Sequence, residues 1–559
     1  MTAASKEKIW LQNYPEGVNP EIDLTRFANI MAVFDEAVRK YRQSPAFSNM
    51  GATLNFDELD RKVGQFASFL QHELKLKKGD RIAIQMPNLL QFPIALFGAL
   101  RAGLIVVNTN PLYTAKEMQH QFKDSGAQAI VILANFAGHL QEIIKDTNIQ
   151  SVVITEIGDQ LPFPKNLLVN SVVKYVKKMV PPYQLPQAYR FEQALTLGAE
   201  RPYQDVSVTF EDTAFLQYTG GTTGVSKGAE LTHKNIVSNM LQIAEWMRPL
   251  LREGQETVIT ALPMYHIFSL TVNSLAFMTF GGHNILITNP RDIPAFIKTL
   301  RGTPFTVMTG VNTLFNALMH HPDFVKISFS QVKLSVAGAM ALQRSVADRW
   351  KKITGTPIFE GYGLTEASPV VCCNPIAGNK DIVGTIGMPL PSTNVKLIDD
   401  NGNEVDQGKE GELCAQGPQV MKGYYNRPDE TEKVLTKDGW LKTGDIAVML
   451  DNGYFKIVDR KKDMILVSGF NVYPNEVEDA IASHPGVLEV AAIGVPDEHS
   501  GEVVKVFVVK KDPNLTEKDV IAHAKKSLTN YKVPKSVEFR GELPKTNVGK
   551  ILRRALRSP

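Results

Sequence analysis

Through most of the chain, short apolar runs alternate with longer amphipathic stretches. Residues 81–88 (RIAIQMPN), 104–111 (LIVVNTNP) and 127–135 (AQAIVILAN) are mainly apolar and closed by turn residues, the pattern of strands buried on both faces. Between them, stretches such as residues 89–103 have helical length and spacing. The alternation predicts an α/β body with mainly parallel sheets. After about residue 390 the period shortens to two. Residues 394–405 and 449–460 each set Asn-Gly between alternating apolar positions, a hairpin signal that predicts a small antiparallel β region. The remainder reads as a separate α+β unit, with a helix over 476–485 and strands over 487–497 and 502–512, enough chain for an independent domain.

One amphipathic stretch stands apart. Residues 165–182 (KNLLVNSVVKYVKKMVPP) set Leu168, Val169, Val172, Val173, Tyr175, Val176, Met179 and Val180 at helical spacing, with Lys174, Lys177 and Lys178 between them. Such a helix either lies in an anionic bilayer surface or packs on the core with its lysines in water.

Length bounds the architecture: 559 residues exceed what one hydrophobic core sustains, so two or more domains are expected. The net charge of +3 gives no reason to expect a nucleic-acid partner. Cys372, Cys373 and Cys414 form no C-x-x-C pair, so neither a disulfide framework nor a zinc site is expected. The first residues lack the apolar core of a signal peptide, and the longest apolar run, residues 92–107, is interrupted by Pro93 and Arg101. That run is shorter than the ~20 residues of a membrane span. A cytoplasmic enzyme is expected. Charge is polarised near the C-terminus: residues 463–520 carry 4 basic and 11 acidic residues, and residues 521–559 carry 10 basic and 2 acidic. The basic tail suits a polyphosphate ligand, and a solvated helical surface would look the same.

Four stretches carry candidate chemistry. Residues 218–229 (YTGGTTGVSKGA) place Tyr218, Thr219, Gly220, Gly221, Thr222, Thr223, Gly224, Val225, Ser226, Lys227, Gly228 and Ala229 in a loop between a strand and a helix capped near Thr232. Glycines permit close backbone approach to phosphate, hydroxyls and amides donate to its oxygens, and Lys227 adds positive charge. The Walker order Gly-Lys-Ser/Thr is missing, which speaks against a simple phosphate-loop ATPase. In residues 358–370 (IFEGYGLTEASPV), Gly361, Tyr362 and Gly363 suit an adenine ring, Thr365 a phosphate and Glu366 a Mg²⁺ ion, a hard cation that prefers oxygen ligands. Within residues 438–478, Asp445 and Arg460 suit ribose hydroxyls, and the DRKKD run at 459–463 marks the junction with the terminal unit. Lys550 follows a glycine in residues 543–554 (LPKTNVGKILRR) and could reach a reacting carboxylate or phosphate. Taken singly, each stretch also reads as a surface turn or a solvated charge run.

In this order and in one chain, the four stretches resemble the acyl-adenylate-forming superfamily, which includes acyl-CoA synthetases, adenylation domains of peptide synthetases and luciferases. The likeness runs from about residue 30 to about residue 555. Residues 438–462 look like the signature of fatty acyl-CoA synthetases. LPMYHIFSLTVN (262–273), ILITNPRDIP (285–294), GVNTLFNAL (310–318) and KKDMILVSGFNVYPNEVED (461–479) resemble bacterial long-chain members. Lys442 departs from the usual signature at what reads as a surface position.

The resemblance implies an α/β fold. A large N-terminal domain, residues 1–461, would hold two α/β sheet subdomains and a small β subdomain, followed by a small mobile α+β domain, residues 462–559, hinged at Lys462. It implies an activity: a long-chain fatty acid, ATP and coenzyme A converted through an acyl-adenylate to acyl-CoA, AMP and pyrophosphate, with Mg²⁺ as cofactor, activating fatty acids for β-oxidation. It also implies roles. Residues 219–228 would wrap the β- and γ-phosphates, Gly338, Ala339 and Tyr362 would hold adenine, and Asp445 and Arg460 the ribose. Thr365 would bind the α-phosphate, Glu366 the Mg²⁺, and Lys550 would stabilise charge during adenylation. Ser468, Gly469 and Phe470 match a loop lining the pantetheine channel, and His266 a wall between acyl pocket and α-phosphate. Tyr265, Ile267, Phe268, Val311, Leu314 and Phe315 are acyl-tunnel candidates that core packing would also use. A peripheral membrane surface and a homodimer stay open as partners. The alternatives are a medium-chain or aryl-CoA ligase, a fatty acyl-AMP ligase, and a nucleotide- or lipid-binding protein that kept the fold. Retention of Lys550 and Glu366 speaks against the last.

Overall fold

The computed structural model describes residues 8–219, 226–376, 383–546 and 549–557. Two large sheets carry the body. The central strands of the first are Thr213–Thr219, Ile105–Asn108, Arg81–Gln85, Ala129–Leu133 and Ser151–Thr155, all parallel. Three of them are the apolar runs of the sequence, and every residue of Ala129–Leu133 is buried, as a strand covered on both faces must be. The second sheet is parallel from Pro45–Asn49 through His283–Leu286, Thr257–Thr260, Val307–Gly310 and Leu334–Ala337 to Ile358–Gly363. The helix Gln91–Arg101 that follows Arg81–Gln85 buries every residue except Arg101. Helices Phe56–His72 and Phe191–Gly198 approach so closely that a Cβ on Gly198 would meet the Gln65 carbonyl oxygen at 1.8 Å, so only glycine fits there.

The period-two region forms an antiparallel sheet of Asn394–Ile398, Glu410–Gln416, Leu441–Met449 and Phe455–Arg460. The two Asn-Gly signals resolve differently. Asn452-Gly453 closes a hairpin between the last two strands. At Asn401-Gly402 the return chain makes only an isolated bridge, Ile398 with Glu404, and Asn394–Ile398 pairs with Glu410–Gln416 instead. Asp399 accepts the N–H groups of Asn401 and Asn403, which satisfies this turn without a ladder.

The C-terminal chain builds its own sheet around Val487–Asp497 and Gly501–Lys510, with helices Pro474–Ala482 and Glu517–Ala524. Its core is separate from that of the body, the break falling between Phe455 and Ile465. The amphipathic stretch is helical over Lys165–Ser171 and continues as a wider turn over Val172–Val176, with no residue of either buried. It ends before the expected residue 180, where Lys178 takes the left-handed conformation.

Candidate active site

Strand ends from both large sheets, the antiparallel sheet and the C-terminal unit line one cavity of about 1990 Å³. At its polar end, the Tyr362 hydroxyl donates to Asp445 Oδ2 at 2.6 Å. Asp445 faces Arg460 across the Asn-Gly hairpin, with Arg460 Nε 3.4 Å from Asp445 Oδ1. Burial, reinforced by the Asp445 charge, holds the Tyr362 hydroxyl well above its usual range, so it stays a donor. Gly338 and Ala339 follow strand Leu334–Ala337 and line the same end. Ala339 sits at φ +66°, and a Cβ on Gly338 would stand 2.8 Å from the Phe268 ring. That is a strained, close-packed turn of the kind found at binding sites.

Thr365 and Glu366 form a short turn after Gly361, Tyr362 and Gly363, and all five line the cavity. Glu366 Oε1 accepts the Tyr424 hydroxyl at 2.6 Å. The Tyr424 ring lies 4.5 Å beneath Lys227 Nζ, which pairs with Glu430 at 2.6 Å. Neither Tyr424 nor Glu430 was expected from the sequence. They lie about 200 residues beyond Lys227, and no short motif joins them.

Lys550 enters this cavity from the far end of the chain. Its N–H donates to Thr546 Oγ1 at 3.0 Å, and its carbonyl accepts the Thr546 N–H at 2.7 Å. The neighbouring Gly549 carbonyl accepts the Thr313 hydroxyl of the body at 3.1 Å. Burial, with the positive charge of Arg460 next, pushes the Lys550 ammonium down to about 7. His266 also lines the cavity. Burial and then the Lys550 charge bring it to about 4, so it is neutral at pH 7.

The apolar wall differs in part from expectation. Tyr265, Ile267 and Phe268 line the cavity; Val311, Leu314 and Phe315 do not. Helix Asn312–His320 turns Asn312, Thr313 and Asn316 toward the cavity, and helical periodicity sends Leu314 and Phe315 to the opposite, core side. Phe315 meets Trp350 edge-on, ring centroids 4.7 Å apart. Ile243, Trp246 and Met247, from the last turns of helix His233–Met247, complete the wall. That helix is buried nearly all round, so no polar face marks which residues meet a cavity.

Of the glycine-rich stretch, Tyr218, Thr219 and Lys227 line the cavity. Gly220, Gly221, Thr222, Thr223, Gly224 and Val225 lie outside the described residues. Ser226 accepts from His120 through its carbonyl at 3.0 Å if the ring nitrogen carries the proton. Gly228 and Ala229 belong to strand Lys227–Thr232, antiparallel to Thr213–Thr219. The helix starts one step later, with Thr232 as its N-cap as expected. Lys462 lines the cavity, whereas Ser468, Gly469 and Phe470 form the exposed tip of hairpin Ile465–Val467 and Phe470–Val472, outside it.

Sequence comparison accounts for this geometry. The profile of the AMP-binding enzymes matches residues 34–425, and that of the AMP-binding enzyme C-terminal domain matches residues 476–550. The chain belongs to the AMP-binding enzyme family. Among curated AMP-binding enzymes, it is 56% identical to a long-chain-fatty-acid–CoA ligase of Escherichia coli O157:H7 over 99% of this chain and 98% of that one. A long-chain-fatty-acid–CoA ligase of Haemophilus influenzae is 54% identical over the same shares. Among solved AMP-binding enzymes, ATP-bound MatB from Rhodopseudomonas palustris superposes with a TM-score of 0.79 at 27% identity, covering 95% of this chain and 98% of that one. The first matched region contains Tyr218, Lys227, His266, Tyr362 and Glu366, and the second ends on Lys550.

Proposed function

We propose that this AMP-binding enzyme is a long-chain fatty acyl-CoA synthetase that works through an acyl-adenylate. The observation that carries the reading is one cavity joining a polar end at Tyr362, Asp445, Arg460 and Lys550 to an apolar wall of Ile243, Trp246, Met247, Ile267 and Phe268. An amphiphilic acid and a nucleotide fit the two ends, and the full-length likeness to long-chain-fatty-acid–CoA ligases supports the same substrates.

In this reading the fatty-acid carboxylate attacks the α-phosphate of ATP. The new acyl–oxygen–phosphorus link forms as the bond to the departing pyrophosphate breaks. The sulfur of coenzyme A then attacks the acyl carbon, and AMP leaves with the bonding oxygen. The first step brings two anions together, so positioning and charge neutralisation are what the protein supplies. Tyr362, Gly338 and Ala339 hold adenine, Asp445 and Arg460 the ribose, and Thr365 the α-phosphate. Lys550 lies between carboxylate and phosphate, and neutral His266 walls the acyl side. Residues 219–228 hold the phosphates that leave, and Lys227 exchanges Glu430 for them. Glu366 keeps one oxygen on Tyr424 and has the other to offer a cation. Among the described residues no group of three or more His, Cys, Asp or Glu side chains could hold a metal. Mg²⁺ is commonly held by one or two carboxylates plus substrate phosphates, and Glu366, at the cavity wall, is the carboxylate placed to contribute. When bound there it would neutralise phosphate charge.

Lys550 lines the cavity where the thiol must arrive, so in this reading the C-terminal unit turns before the second step. We place the domain boundary at 461/462 with Lys462 as hinge, since the two cores separate between Phe455 and Ile465. Ser468, Gly469 and Phe470, now at an exposed tip, would then meet coenzyme A. Incubation with palmitate, ATP, Mg²⁺ and coenzyme A tests the reading. AMP and pyrophosphate are expected as products, and ADP with phosphate would overturn the mechanism.

A second surface supports a lipid partner. Phe163, Leu167, Leu168, Tyr175, Val176 and Met179 are 50–79% exposed, six of the nine large apolar side chains so exposed among the described residues. Lys165, Lys174, Lys177 and Lys178 lie among them, and no acidic residue occurs from 160 to 191. An exposed apolar face with only positive charge suits an anionic bilayer surface on the cytoplasmic side. No helix among the described residues is long and apolar enough to cross a membrane. In vesicle flotation, the protein should rise with phosphatidylglycerol vesicles and less with phosphatidylcholine. Serine at Leu167, Leu168 and Val176 should abolish the difference, and unchanged flotation would remove the segment from the reading.

A further inference from the structure

Arg553 stands three residues beyond Lys550, at the start of helix Arg553–Arg557, with carboxylates around it. Its Nε and Nη2 donate to the two oxygens of Glu478 at 3.0 and 2.8 Å, and Nη2 also donates to Asn475 Oδ1 at 2.7 Å. Its Nη1 lies 3.5 Å from Asp463 and 3.7 Å from Asp459. Three of these four partners, Asp463, Asn475 and Glu478, follow Lys462 in the chain. Asp459 precedes it, in strand Phe455–Arg460, next to the Arg460 that lines the cavity.

Asp459 depends on partners from across the junction. Its side chain is 0% exposed. It accepts the Arg460 N–H at 2.7 Å from its own side and the Asn475 N–H at 2.8 Å from the other. Burial raises its carboxyl to about 6, with Arg553 opposing the rise. If the terminal unit turns about Lys462, Asp463, Asn475 and Glu478 travel with Arg553 while Asp459 stays. What undocking breaks at this site is therefore the Asp459 half of the network: the Arg553 charge and the Asn475 N–H. Undocking thus forfeits a hydrogen bond and a charge contact to a carboxylate that is fully covered in the docked arrangement.

We propose that Arg553, acting through Asp459, is a positioning residue that holds the C-terminal unit docked with Lys550 in the cavity. This rests on the reading of Lys550 as the residue of the adenylation step. Weakening the Asp459 half shifts the population toward the undocked unit, slows the step that needs Lys550, and leaves the thiol step alone. Asp459→Asn keeps shape and acceptor while removing the charge. Arg553→Lys keeps the charge and loses the fork on Glu478.

The test uses the full-length protein and separates the half-reactions. Asp459→Asn should lower palmitate-dependent ATP–pyrophosphate exchange at least about tenfold, in keeping with loss of a buried charge pair. Conversion of supplied palmitoyl-AMP and coenzyme A to thioester should stay within about twofold, and Arg553→Lys should fall between wild type and Asp459→Asn. A second readout needs no turnover: limited tryptic cleavage after Lys550 should be faster in Asp459→Asn than in wild type, by peptide mass mapping. Equal loss in both half-reactions, no loss in either, or unchanged cleavage at Lys550 overturns the latch. Absence of exchange in the wild type, with faster cleavage at Lys550 in Asp459→Asn, would overturn the substrate reading and leave the latch standing.

Discussion

At the scale of single residues, the sharpest consequence concerns Lys550. A lysine is positively charged below its pKa, and burial brings this one to about 7. The free protein therefore loses the charge as pH rises through that value, far below the ordinary lysine range. The kcat/KM of ATP–pyrophosphate exchange, which reports groups of the free enzyme, should fall above pH about 7. Thioester formation from supplied acyl-adenylate should lack that limb. Lys550→Arg should remove the limb even if it lowers the rate, because guanidinium stays charged throughout. A limb common to both half-reactions would assign the titration to another group. Tyr424 gives a second expectation. Tyr424→Phe frees a Glu366 oxygen from its 2.6 Å donor, and it should lower exchange by roughly tenfold, about the effect of one hydrogen bond to a charged group. The melting temperature should barely move, since Tyr424 lies at the cavity wall. That Tyr362, Glu366, Asp445 and Lys550 would share one cavity was legible in the sequence, because each sits in a short motif of the resemblance. Tyr424 and Glu430 were not, because their partners Glu366 and Lys227 meet them only through strand pairing and helix packing.

Among elements, helix His233–Met247 runs from the end of strand Lys227–Thr232 to the apolar wall of the cavity. Thr232 accepts the Asn235 N–H, and the Asn235 side chain accepts from Thr232 in return. Asn235 also donates to the carbonyls of Pro418 and Val420. Thr232→Ala should therefore cost about 1–2 kcal/mol in chemical denaturation, the upper part of the N-cap range. At the other end, Met247 lines the cavity. Met247→Trp adds bulk there and should shift preference toward shorter acids when a series from octanoate to stearate is compared. An unchanged profile would remove this helix from the acyl path. The parallel strands were legible because a strand covered on both faces must be apolar throughout. The cavity's apolar wall was only half legible, since a residue facing a cavity and one facing the core are apolar alike. Periodicity then decides: it keeps Asn312, Thr313 and Asn316 on the cavity side and removes Leu314 and Phe315.

For the molecule as a whole, the question is whether the C-terminal unit moves between steps. Besides the Asp459 contacts, its docked hydrogen bonds to the body among the described residues are scattered singly. Asn316 donates to the Leu488 carbonyl at 3.4 Å, Thr313 to the Gly549 carbonyl, and the Tyr473 hydroxyl to Glu410 at 2.6 Å. An interface of that kind favours relative motion over permanent fusion. Fixing it should therefore uncouple the two half-reactions. Cysteines placed at Asn316 and Leu488 can be joined by a short bismaleimide, and the native Cys372, Cys373 and Cys414 are buried and compete poorly for the reagent. The joined protein should retain palmitate-dependent ATP–pyrophosphate exchange, because Lys550 stays in the cavity. It should lose thioester formation by more than about tenfold, because a gated step cannot proceed without its motion. The unjoined double variant should perform both. Should the joined protein form thioester at the wild-type rate, the terminal unit need not turn, and coenzyme A must reach the acyl carbon past Lys550 in the docked arrangement.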